Sequence, residues 1–339
     1  MTAKIKALLT RGQASWNLIL IGLLVLEFIV FGAANPKFLR PALLFTSVND
    51  NLPVFMIALF VTLVMITGGI DIQVASLVGL TSVTIGVGWQ DFGLSIWAAV
   101  GVAVVLVMLC GALSGFLIAY CRVQAMVVTL GGSFLYSGLA LLVSTLSSTE
   151  SYQGIGGFPE EFKFIATAEV AGIPFQILIF GVMLVVAFVL LHETKYGRKI
   201  FFVGVNQSAA EYSGINSRRV IMSTYILSAL SAAIAGTVLT AYLGTAKSDL
   251  GSDLTMDIVT AAVLGGTLST GGKGSIIGTA LASLAIALLR FGLPLCFKVS
   301  TQYLDIPVGV LLVVVIVVRS ATSGVSFGAW LKSLLPVRG

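Results

Sequence analysis

The chain has 339 residues, 58% hydrophobic and only 10% charged, with a mean hydropathy of +1.06 and a net charge of +5. Soluble domains carry roughly a quarter charged residues, so this composition excludes a water-soluble fold and describes a chain largely solvated by lipid. The basic residues lie in short gaps between apolar runs, which argues against nucleic acid as a partner, and three scattered cysteines (Cys110, Cys121, Cys296) with a single His192 supply neither a disulfide framework nor a metal site.

Lys4, Lys6 and Arg11 precede an apolar run at 16–34. Gly32-Ala33-Ala34 could end a cleaved signal peptide, but a run of about 19 residues is long enough to cross roughly 30 Å of hydrocarbon. It is read as an uncleaved first span. Further spans are expected at 52–67, 70–89, 94–120, 126–146, 174–192, 219–243, 255–268, 274–291 and 302–319. The expected fold is therefore all-α and polytopic, with about ten transmembrane or re-entrant helices. The runs at 52–67, 70–89 and 255–268 are short or glycine-broken and suit re-entrant segments. The whole of 1–339 reads as a single transmembrane domain.

Alternating the gaps from a cytoplasmic N-terminus places Arg122, the 193–218 loop with Lys195, Arg198, Lys199 and Arg218, and Lys273 inside. Outside fall 147–173, with Glu150, Glu160, Glu161 and Glu169 against Lys163, and 244–254, with Lys247, Asp249 and Asp253. Lys37 and Arg40 run against the trend, but the overall bias puts both termini in the cytoplasm.

Two features carry mechanism. In Thr67-Gly68-Gly69-Ile70-Asp71-Ile72, paired glycines interrupt an apolar stretch and an acid follows at once. Asp71 either lines or gates a solute path together with Gly68 and Gly69, or caps the next helix. Thr270-Gly271-Gly272 echoes the first break, as paired interruptions in transporter halves do. The second feature is the inside loop 193–218. Asn206 is a suitable N-cap, Ala209, Ala210 and Glu211 favour helix, Tyr212 follows, and Gly214 suits a C′ stop. A helix of about two turns is unstable alone in water. It must dock on a partner subunit or on its own membrane domain. Glu27, Arg290 and Asp305 read as interhelical pairs or interface anchors. No Walker loop, nucleophile elbow or zinc motif is present, so neither ATP binding nor catalysis is expected of this chain.

The order of spans, Thr67–Asp71, the Asn206–Ile215 loop, and Leu264-Gly265-Gly266-Thr267 followed by Gly271-Gly272-Lys273-Gly274-Ser275 resembles the ribose-type permeases of bacterial ABC importers over nearly the whole chain. Segments 151–159 and 246–251 are most similar to the branch of that family importing autoinducer-2. Ala209, Ala210 and Gly214 match the importer motif E-A-A-x-x-x-G, with Ser208 in place of its leading Glu.

The resemblance implies a non-catalytic permease in the bacterial inner membrane, without a cofactor. Its implied partners are a cytoplasmic ABC ATPase, a periplasmic solute-binding protein and a second, different permease chain. The coupling loop would be 193–218. The outside-loop residues Tyr152, Gly156, Lys247 and Asp249 would be candidates for binding-protein docking. A permease for ribose or another monosaccharide is the nearest alternative, and an ion-coupled secondary transporter a remote one.

Overall fold

The computed structural model describes residues 2–149 and 153–322, and Tyr152 lies outside them. The chain is built of helices α1 (Thr2–Ala34), α2 (Pro41–Ile66), α3 (Val74–Gln90), α4 (Ile96–Ala119), α5 (Ala125–Ser144), α6 (Glu160–Thr167), α7 (Phe175–Phe188, continued by a π turn, Val189–Glu193), α8 (Lys195–Val205), α9 (Gln207–Tyr212), α10 (Ser217–Leu243), α11 (Leu254–Leu264), α12 (Ile276–Phe297) and α13 (Asp305–Thr322). Strands β1 (Glu169–Val170) and β2 (Ile173–Pro174) form one small antiparallel hairpin. Among the described residues, 7 helices are long and apolar enough to cross a membrane, and α3 and α11 are shorter apolar helices.

α2 is the central helix, buried continuously from Leu52 to Ile66. It starts eleven residues before the expected 52–67 run, because Pro41 at its first turn opens a helix that continues through Ser47-Val48-Asn49-Asp50-Asn51. These polar residues are accommodated individually. Asn51 bonds back to the Ser47 carbonyl at 2.9 Å, and Asp50 accepts the Tyr242 hydroxyl at 2.6 Å. The α4–α10 contact is close because Gly111 and Gly115 meet Ala229, Tyr225 and Met222 with no room for a Cβ, the small-residue packing that lipid-embedded helices use.

α3 and α10 run parallel. Ser228 lies beside Asp71, Gly236 beside Val78 and Thr81, and Thr240 beside Ser82. This alignment gives the depth of everything attached to α3. Ser228 is eleven residues into α10, about 16 Å from its N-terminal end and more than 20 Å from its C-terminal end.

The gap 244–254, expected outside, follows α3 inward. Ala246 packs on Gly86, the Lys247 amide bonds Ser82 Oγ at 3.3 Å, and the Ser248 carbonyl abuts Gly79. Gly251 abuts Val78, and Thr255 Oγ1 donates to the Ile72 carbonyl at 3.3 Å. From Gly86 to Val74 is about 18 Å along α3, more than half of a roughly 30 Å hydrocarbon core. The segment is thus an extended stretch at membrane depth, and the 11-residue α11 continues it in the same direction as a half-length helix, ending near the start of α12.

Arg290 of α12 bonds Asp257 of α11 and Asp305 at the start of α13, each at 2.8 Å. The interhelical pairing expected of Arg290 and Asp305 is present, with Asp257 as its half-buried third member. Glu27 is buried and neither of its carboxyl oxygens has a partner among the described residues.

Candidate functional site: two breaks, a helical arm and two cavities

The chain between α2 and α3 leaves helical geometry at Thr67, whose amide still bonds the Leu63 and Val64 carbonyls. Gly68 then takes φ +86, and six residues of non-helical chain climb to Val74. Asp71 does not cap α3; the capping position is Gln73, which makes no side-chain cap bond. Instead Asp71 is fully buried and accepts Ser228 Oγ at 2.8 Å on Oδ2. Its Oδ1, the Tyr225 hydroxyl and Gln73 Nε2 are buried without hydrogen-bond partners among the described residues. Gln73 Oε1 accepts Ser114 Oγ at 2.7 Å, and Tyr136 Oη lies 3.0 Å from the same hydroxyl. A charge at this depth costs about 2.5–3.5 kcal/mol on insertion scales and marks functional ground.

The two TGG breaks meet. The Gly272 amide donates to the Ile66 carbonyl at 2.8 Å, and Gly271, also at φ +86, faces the Gly68 amide. Between them sits Gly204 near the end of α8. A Cβ there would collide with the Ile66 carbonyl and come within 2.7 Å of the Gly272 nitrogen. The glycine is required by the close approach of three backbones.

The arm formed by 193–218 is larger than the sequence suggested. α8 precedes the expected short helix and buries Gly197, Ile200 and Val203. Thr194 Oγ1 accepts the Gly197 amide at 3.2 Å and caps it. The helix expected after Asn206 is α9. Asn206 Oδ1 accepts the Ala209 amide at 2.9 Å, and Gly214 at φ +80 turns the chain so that the Ile215 amide reaches the Ala210 carbonyl at 3.0 Å. Ala210 is the buried residue of α9. Ala209 and Glu211 are exposed, and Tyr212 is 94% exposed, a large aromatic projecting from the arm.

Two cavities flank the first break. One of about 420 Å³ is lined by Gly68, Gly69 and Tyr225, by Arg122 beyond α4, and by Gln207, Ser208 and Glu211 of α9. The other, about 200 Å³, lies between α3, α5 and the 246–255 segment and is lined by Ile72, Ser76, Ser133, Ser137, Asp249 and Ser252, among others. Gly69 borders the first and Ile72 the second. Asp71 is sealed between them.

Of the four expected docking residues, Gly156 is exposed on the outer loop, and the Lys247 side chain packs beside Gly154 of that loop. The loop is tied to 246 by paired Ile155–Ala246 backbone bonds of 2.9 and 2.7 Å. Asp249 is exposed and lines the second cavity.

Long apolar helices, two glycine breaks packed against each other and an arm of short helices docked on them describe a polytopic membrane permease. The chain belongs to the ABC-importer permease family described as the branched-chain amino acid transport system permease component, matched over residues 43–317. It is 41% identical over 308 residues, 91% of this chain and 94% of the relative, to the autoinducer 2 import system permease protein LsrD of Enterobacter sp. (strain 638). It is 40% identical over 312 residues, 92% of this chain and 94% of the relative, to LsrD of Escherichia coli (strain K12) and of Shigella flexneri. No solved structure matches the chain.

Proposed function

We propose that this chain is an autoinducer-2 importing permease of the bacterial inner membrane, non-catalytic and driven by a partner ATPase. The solute assignment rests on the LsrD relatives, which cover more than nine-tenths of the chain. The single permease domain spans 1–339, inserts about ten helices, three of them short, and keeps both termini in the cytoplasm. It pairs with a different, LsrC-like permease. A periplasmic binding protein delivers solute onto the outer loop at Tyr152, Gly156 and Lys247.

The observation that carries the coupling mechanism is Gly204 wedged against Ile66 and Gly272. α9, with Asn206, Ala209, Ala210, Glu211, Tyr212 and Gly214, seats in the ATPase. α8 is its lever, and the lever's end presses on both membrane breaks. Closure of the ATPase pair on ATP therefore moves the Gly68-Gly69-Ile70-Asp71-Ile72 stretch that separates the two cavities. Asp71, held by Ser228, keeps that partition in a defined position. The partition acts as a gate, opened from the cytoplasmic side without chemistry by this chain.

The test is transport by vesicles carrying the complete importer with labelled autoinducer-2. Uptake should require ATP and the ATPase subunits and survive an ionophore. Uptake by the permeases alone, or its collapse with ionophore while ATP remains high, would contradict the mechanism.

A further inference from the structure

The second cavity carries an inference beyond gating, one that rests on the proposed importer function and deepens it. Its depth comes from the α3 register: Ser248 lies at the level of Gly79 and Thr255 at the level of Ile72. At these levels Asp249, Ser252 and Asp253 are exposed, and so is Ser137 across the cleft on α5. Carboxylates at such depth do not face lipid; they face water, a partner group or solute.

The hydroxyls of the cleft are ordered on one side and free on the other. Ser76 Oγ donates to the Ser133 carbonyl at 2.9 Å, and Ser137 Oγ donates to Ser76 Oγ at 2.8 Å. Ser137 keeps its acceptor lone pairs. The side chains of Ser248, Asp249 and Ser252 make no hydrogen bond among the described residues. One wall thus offers fixed acceptors and the other an unengaged carboxylate and two hydroxyls, with Phe134 and Ala75 in the apolar part of the lining. A volume of about 200 Å³ equals the liquid share of roughly six or seven waters, the scale of a small polyol.

We infer that this cleft is a transient solute-binding subsite of the path, taking a small neutral polyhydroxylated molecule whose hydroxyls donate to Asp249 and exchange hydrogen bonds with Ser137 and Ser252. It lies just outside the partition formed by Ile70-Asp71-Ile72. Solute released by the binding protein rests there before the partition opens. Weak, open binding suits a path, since a solute held tightly would not leave.

The experiment is thiol accessibility in the complete importer. Cys110, Cys121 and Cys296 are replaced by alanine, transport is confirmed, and Ser137→Cys and Ser252→Cys are made separately. Both positions are exposed, so each substitution should be tolerated by the fold, and either variant alone tests the cleft. Val105→Cys, exposed on α4, serves as the reference. A small hydrophilic thiol reagent applied from outside should modify positions 137 and 252 faster than 105. Autoinducer-2 at ten times its half-protecting concentration should slow modification at 137 and 252 about tenfold, because about a tenth of sites stay free.

Ribose protecting where autoinducer-2 does not would keep the polyol subsite and displace the autoinducer-2 assignment. Modification that neither solute slows would show a water-filled cleft with no solute site. No modification at either position would show a face sealed in the assembled importer. Each of the last two results overturns the inference while leaving ATP-dependent uptake, and so the importer reading, intact.

Discussion

Replacing Gly204 by alanine adds one methyl group where three backbones meet. The new carbon collides with the Ile66 carbonyl and stands 2.7 Å from the Gly272 nitrogen. Relieving the second contact alone, to an ordinary ~3.4 Å, needs about 0.7 Å of movement. The Gly272–Ile66 hydrogen bond of 2.8 Å lies in that direction. Overpacking of this kind costs about 1–3 kcal/mol, and a stretched, desolvated backbone bond adds about 1 kcal/mol or more. A total of about 2–4 kcal/mol is small against a whole membrane domain but large against the seating of one arm. It would shift that seating by a factor of about 30 or more. Gly204→Ala should therefore insert and assemble, hydrolyse ATP, and import little. Vesicle uptake measured beside ATPase activity separates these outcomes. Gly101→Ala, with nothing within 4 Å of the added carbon, is the matched control. Wild-type uptake by Gly204→Ala would refute the lever, whatever the family.

Other expectations follow from the same geometry. Ala210→Arg places a long cation at the buried residue of α9, and Gly214→Pro forces φ to about −65° where the chain needs +80; each should abolish uptake with insertion unchanged, and normal uptake in both would remove the coupling assignment. Ser228→Ala leaves Asp71 without its hydroxyl donor at a cost of about 1–3 kcal/mol, read as lower thermal stability in detergent; an unchanged unfolding midpoint would mean that the pair does not hold the partition.

The Asp91 carboxyl, just beyond α3, is pushed up by burial but held below its ordinary range overall by bonds from the Ser148 amide, the Ser147 hydroxyl and the Ser148 hydroxyl. Its folded pKa is therefore depressed. The stabilisation is present above the ordinary value of about 3.9 and lost as pH falls below it through the folded value. Hydrogen exchange at the Ser148 amide should stay slow at pH 6 and quicken in acid; a rate insensitive to acid once intrinsic exchange is corrected would count against the contact.

Much of this architecture was legible because lipid imposes simple rules. Apolar runs became helices, Asn206 capped α9, and Gly214 turned its end, since capping depends on local backbone chemistry. The errors came where tertiary context outweighed local pattern. The polar stretch 47–51 read as a gap but is helical, because Asn51 and Asp50 find partners within the bundle. α8 went unseen because it is short and its basic residues, Lys195, Arg198 and Lys199, suggested a loop. The course of 246–255 along α3 was not legible because hydropathy cannot distinguish an exposed loop from one lining a cavity at membrane depth. The place of Asp249 beside the second cavity follows from the register of 246–255 along α3. Asp71 was found from its position after two glycines. Its partner Ser228, 157 residues away in sequence, was not.

The measurement that reaches the central claim most directly is uptake of labelled autoinducer-2 and labelled ribose by cells lacking this chain, with and without its restoration. Loss of autoinducer-2 uptake alone, recovered when the chain is restored, is the predicted result. Unchanged autoinducer-2 uptake with loss of ribose uptake would contradict the solute assignment and make the chain a sugar permease of the same family.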